Sequence, residues 1–110
     1  MSNVIDLDAI KAKYEKLYTV DVTLELDDDT TEKRSYLFRK PTMASYDRFV
    51  KTSANSPTKA TRAFVIDNIV PEQLDALTAD IEEYPAVAMS LTDKLFALLG
   101  LSKDISVKKL

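Results

Sequence analysis

Two periodicities divide this chain at Pro41. Upstream, Tyr18, Val20, Val22, Leu24 and Leu26 alternate with Thr19, Asp21, Thr23 and Glu25, which puts apolar groups on one face of an extended segment. Asp27-Asp28-Asp29-Thr30-Thr31 interrupts as a polar tip, and Glu32 to Lys40 returns with Tyr36 and Phe38 on one face. The pattern predicts a β-hairpin over 19–40 with a loop of about five residues. A lone hairpin is marginal in water, so it must pack on helices or gain another strand, from this chain or from a second subunit. Pro41 has no N–H and disfavours helical backbone at Lys40, which closes the strand. Thr42 is then placed to cap a helix.

Ahead of the hairpin, residues 6–18 predict a helix with Asp6 as N-cap and Leu7, Ile10, Tyr14 and Leu17 on a face suited to covering one side of a sheet. Beyond Thr42 the apolar residues recur at three-and-four spacing. Residues 42–54 carry Met43, Tyr46, Phe49 and Val50 on one face. Asn55-Ser56-Pro57 breaks the chain, with Ser56 as N-cap and Pro57 at the first helical position. Residues 57–69 are apolar around their middle (Ala60, Ala63, Phe64, Ile66), which suits a central helix. After Pro71, residues 72–84 show a narrow stripe of Leu74, Leu77, Ile81 and Tyr84. After Pro85, residues 86–99 show a broad face that includes Val87, Ala88, Leu91, Leu95, Phe96 and Leu99. Gly100 fits the left-handed residue that ends a helix, with Leu101 closing a Schellman contact. Residues 102–110 read as a flexible tail. The fold class is α+β in one domain: an N-terminal helix and a two-stranded antiparallel β-hairpin, followed by about four α-helices over 42–101.

Composition narrows the functional classes. The 110 residues are 45% hydrophobic and 30% charged, as in an ordinary globular chain. The single glycine argues against a phosphate-cradling loop or a propeller. There is no cysteine, hence no disulfide framework or thiolate site, and no histidine, the commonest general base and metal ligand. A net charge of −3 has the wrong sign for a phosphate-backbone binder. The opening residues lack the basic and apolar regions of a signal peptide, and the apolar stretches fall short of membrane-spanning length. The expected compartment is the cytosol.

Three clusters invite chemistry. Counted as an EF-hand from Asp27, position six is Glu32 rather than glycine and position twelve is Phe38 rather than glutamate, so a solvated hairpin tip is the preferred reading. Arg34, Arg39, Lys40 and Arg48 lie near Tyr36, Phe38 and Tyr46, a basic and aromatic mixture without an RNP-type motif. A solvated strand face with pairing across the hairpin accounts for it better than nucleic-acid binding does. Glu82 and Glu83 are adjacent on a helix and face different ways, which does not suit paired acid–base carboxylates. No catalytic, cofactor-binding or metal-ligating residues are assigned, and no enzyme activity or cofactor is expected.

The succession Tyr36-Leu37-Phe38-Arg39-Lys40-Pro41-Thr42, Tyr46-Asp47-Arg48-Phe49, Ser56-Pro57-Thr58-Lys59-Ala60, Glu83-Tyr84-Pro85 and Leu98-Leu99-Gly100-Leu101 resembles small bacteriophage tail assembly chaperones over most of residues 33–101. The resemblance implies a non-catalytic protein of the host bacterial cytoplasm, encoded by a phage or prophage. It would bind the tape-measure protein and tail tube subunits during tail morphogenesis and self-associate, without nucleic-acid or membrane partners. A longer form made by frameshifting is known in such proteins, and Lys108-Lys109 is compatible with a slippery run. Core packing is the plainer reading of the broad 86–99 face; where part of it is left over, partner contacts are expected at Leu91, Leu95, Phe96 and Leu99, and at the Phe38–Arg39 strand end. Two alternatives stay open: a head–tail connector or tail-completion protein retained in the particle, and a small nucleic-acid-binding regulator.

Overall fold

The computed structural model describes residues 7–14 and 16–110. In chain order the elements are α1 (Leu7–Lys13), β1 (Leu17–Glu25), β2 (Thr31–Arg39), α2 (Met43–Ser53), α3 (Pro57–Asn68), a single 3-10 turn (Pro71–Gln73), α4 (Leu74–Glu83) and α5 (Ala86–Leu98). This is the α+β arrangement that the two periodicities predict. Asp6, the expected first cap, lies outside the described residues. α1 is shorter than expected because Leu17 and Tyr18 are taken into the ladder, opposite Arg39 and Phe38.

β1 and β2 pair antiparallel from Leu17↔Arg39 to Glu25↔Thr31. At the tip the Leu26 N–H donates to the Thr30 carbonyl at 2.9 Å and the Asp29 N–H to the Asp27 carboxylate at 2.9 Å, an exposed Asx-type turn. One sheet face sends Leu24, Tyr36 and Phe38 into the main core. The other buries Leu37 with Ile10 of α1 and Val70, flanked by Tyr14 and Leu17. β2 is thus apolar on both faces at its end, and α1 covers the second face there.

The additional pairing that a hairpin needs comes from the chain itself. Ile69 bridges Phe38 on the edge of β2 away from β1, and the Val70 N–H donates to the Leu37 carbonyl at 3.0 Å. The buried Gln73 continues that edge with its side chain. Its Oε1 accepts from the Leu37 N–H at 2.6 Å, and its Nε2 donates to the Ser35 carbonyl at 3.1 Å. A carboxamide offers one acceptor and paired donors, so it stands in for the backbone of a third strand.

Local punctuation sets the helices. Thr42 is extended at φ −87° and accepts from the Ser45 N–H at 3.1 Å. Ser56 accepts from the Lys59 N–H at 3.3 Å ahead of Pro57. α3 is central, packing on α2, α4 and α5. Its buried Asn68 donates to the Ser45 hydroxyl and to the Phe64 carbonyl, so this polar group inside the core is satisfied. Phe49, Phe64 and Phe96 meet at centroid distances of 4.9 to 5.5 Å and tie α2, α3 and α5 together. Leu77, Ile81, Val87, Ala88, Leu91 and Leu95 complete the interior.

Candidate protein-interaction site

Apolar surface is left over where the start of α2 meets the end of α5. Thr42, Met43, Tyr46, Phe96, Leu99, Gly100 and Leu101 line a groove of about 450 Å³. The wall from α5 is built by its cap. Gly100 adopts φ +100°, its N–H donates to the Ala97 carbonyl at 3.2 Å, and the Leu101 N–H reaches back to the Phe96 carbonyl at 3.0 Å. These are the two bonds of a Schellman motif, and they fold Leu101 over the last turn. From α2, Tyr46 sets its ring edge-on against Phe96 at 5.7 Å. Met43 is 77% exposed, and Val50 continues the same helix face in the open.

This placement corrects the sequence expectation. Leu91, Leu95 and Phe38 are 0% exposed and belong to the core, so they present no surface to a partner. The 86–99 helix packs against α3 and α4, which cover the part of its apolar face that holds Leu91 and Leu95. Phe96 and Leu99, from the same set, are half-buried and do line the groove. Arg39 is exposed but engaged: its Nη2 donates to the Asp67 carbonyl at 2.9 Å, and its guanidinium lies 6.0 Å from the Tyr14 ring centre. Met43 and Val50, which share the apolar face of α2 with Phe49, face outward. α2 is flanked chiefly by α3, so one side of its apolar stripe has no cover. The signal that could have found them is the charge density around that stripe, with Asp47, Arg48 and Lys51 leaving only a narrow strip to bury.

The arginines are all engaged, and two of the lysines are paired. Arg34 pairs with Glu32 at 2.6 Å on its own strand and with Asp80 of α4 at 3.5 Å, so its partners are not across the hairpin as expected. A side-chain bond that does cross is Ser35 to Asp21 at 2.7 Å. Arg48 pairs with Asp67, Lys51 with Asp47, Lys13 with Glu72, and Arg62 approaches Glu82 at 3.7 Å. Burial pushes the Asp67 carboxyl up, but hydrogen bonds from Ser45 and Arg48 and the charges of Arg48 and Arg39 outweigh it and hold the group below its ordinary range. Tyr36 is pushed well above the usual phenol range, first by burial and then by donating its hydroxyl to the Asp80 carboxylate at 2.6 Å. Among the described residues no group of three or more carboxylates is arranged to hold a metal ion, and no helix is long and apolar enough to cross a membrane.

No curated protein matches this chain. Among solved structures it is similar to the uncharacterised protein rbstp2171 from Bacillus stearothermophilus, at 26% identity and a TM-score of 0.79, over 94% of this chain and 100% of that one. The likeness extends to the whole arrangement of hairpin and helices. The family described as a domain of unknown function, DUF6848, matches residues 10–108, and the chain belongs to that family.

Proposed function

We propose that this protein is a non-catalytic binding protein of the phage tail assembly chaperone type, acting in the host bacterial cytoplasm. It holds an amphipathic helix of a tape-measure-like client in the α2–α5 groove while tail tube subunits are recruited. The observation that carries the reading is the groove itself, an apolar trough walled by Met43, Tyr46, Phe96, Leu99 and Leu101 on a chain with neither histidine nor cysteine. A long helical client presents many similar apolar stripes in varied sequence. An adaptable methionine beside rigid aromatic rings suits that task, since it can repack against differing partners. The pairing of Arg34, Arg48 and Arg62 with carboxylates weighs against the nucleic-acid alternative.

The test is co-expression with a long helical tape-measure protein. The wild-type chain is expected to keep the client soluble and to co-purify with it, whereas the double variant Met43→Asp, Leu101→Asp loses both effects and stays folded. Equal solubilisation by the double variant refutes the groove assignment, and no effect of the wild type refutes the chaperone reading. Recovery of the chain as a fixed component of purified particles instead favours the connector alternative.

A further inference from the structure

The two edges of the hairpin are treated differently. β2 is sealed by Ile69, Val70 and Gln73, whereas among the described residues β1 pairs with β2 alone. Because the N–H and C=O of Leu37 both point away from β1, the Thr19↔Leu37 pair is a non-hydrogen-bonded one. The Leu26–Thr30 bond at the tip has the matching parity. Thr19, Asp21, Thr23 and Glu25 therefore direct their backbone groups outward, along an edge that has no partner among the described residues. Beside this edge runs a groove of about 280 Å³ with Val20 and Tyr18 on one side and Leu98 and Lys94 of α5 on the other.

Residues 102–110 are exposed throughout. Ile105 is 77% exposed and Val107 94%, and they alternate with Ser106 and Lys108 in the pattern of a half-buried strand. Charge matches the two. Residues 17–30 hold five carboxylates (Asp21, Glu25, Asp27, Asp28, Asp29) and no cation, and residues 102–110 hold three lysines against one aspartate.

We propose that residues 104–108 of one copy add as a third strand to the open β1 edge of a second copy. Ile105 and Val107 enter the groove beside Val20 and Leu98, and Ser106 and Lys108 lie beside Asp21 and Thr23, with the long Lys108 side chain reaching toward Glu25. Donor and acceptor are different surfaces, so copies either exchange segments in a closed dimer or pass them along an open series. The contact does not rest on the client groove, which is formed by other residues.

Sedimentation of the full chain from micromolar to near-millimolar concentration tests this. The wild type is expected to at least double its average mass, and the outward amides of Thr19, Asp21 and Thr23 slow their hydrogen exchange in step. Val107→Asp, at a position already in solvent, holds the chain at monomer mass with an unchanged melting temperature. Thr23→Pro removes only an outward N–H and blocks the acceptor. Mixing the two variants restores a two-chain complex, because each keeps the half that the other lacks. If Thr23→Pro does not fold, a peptide of residues 102–110 binding to the Val107→Asp chain replaces the mixture. A wild type that stays at monomer mass, association undiminished in Val107→Asp, or edge protection independent of concentration overturns the proposal. The last of these would mean that the segment folds back on its own chain.

Discussion

Gln73 carries a quantitative prediction, because one side chain closes two backbone groups that lie 36 and 38 residues away in sequence. Gln73→Ala removes both partners at once. Leu37 is itself only 9% exposed, so its N–H is shielded from water once the Gln73 acceptor is gone. Leaving such a donor unpaired costs about 1–3 kcal/mol, and loss of the bond to the Ser35 carbonyl, which is nearer solvent, adds about 1 kcal/mol. The expected destabilisation is about 2–4 kcal/mol. With an unfolding entropy of about 2.1 cal/mol/K per residue, this is a fall of about 9–17 °C in melting temperature. Gln73→Glu separates the two bonds. The carboxylate still accepts from Leu37 but cannot donate to Ser35, so the variant is weakest near neutral pH and recovers on acidification, when a protonated carboxyl regains a donor. Urea unfolding followed by circular dichroism reads the free energies, and amide exchange at Leu37 reads the local event. A Gln73→Ala loss below about 1 kcal/mol with Leu37 still protected would refute the strand-mimic reasoning.

Three further outcomes follow from the same geometry. Leu95→Ala should cost about 2–5 kcal/mol in denaturant unfolding, whereas Met43→Ala stays within about 0.5 kcal/mol, and the reverse order would put the apolar face of α5 outside. Tyr36 has a folded-state pKa raised above its unfolded value near 10, so its contribution is fully present below that pH and declines as pH rises above it. Tyr36→Phe should flatten that alkaline decline while lowering stability at neutral pH through the lost bond to Asp80, and an unchanged alkaline slope would assign the decline to other groups. Gly100→Ala should cost about 1–2 kcal/mol from the left-handed backbone alone, since an added Cβ meets nothing within 4 Å, and a neutral result in thermal unfolding would contradict the cap geometry.

What sequence made legible was local in origin. Thr42, Ser56, Pro57 and Gly100 act within four residues of themselves, and each stands where its chemistry predicts. The alternation of β1 was equally plain, since its two faces see core and solvent. Leu37 was harder: it interrupts the alternation of β2, and its burial depends on Ile10 and Val70, distant in sequence. Gln73 gave no signal, because glutamine is common on exposed helix starts and only the fold brings it to a strand edge. The site followed the same rule. Apolar stripes on α2 and α5 look alike as patterns, and which one is left uncovered depends on how the helices cross, which no window of sequence reports. Hence Leu91 and Leu95, expected at a partner contact, lie in the core, while Met43 and Val50 of the α2 stripe are left in the open.

Phe96 has a double allegiance, with one side of its ring against Phe49 and Phe64 and another toward the groove. Any replacement there alters stability and the shape of the groove together, so under the proposed role it is a poor handle for retuning what is bound. Met43 and Leu101 are under no such dual constraint. Under the proposed binding role, variants that diverge in choice of client are free to change these two rim positions first, while the aromatic floor stays as it is.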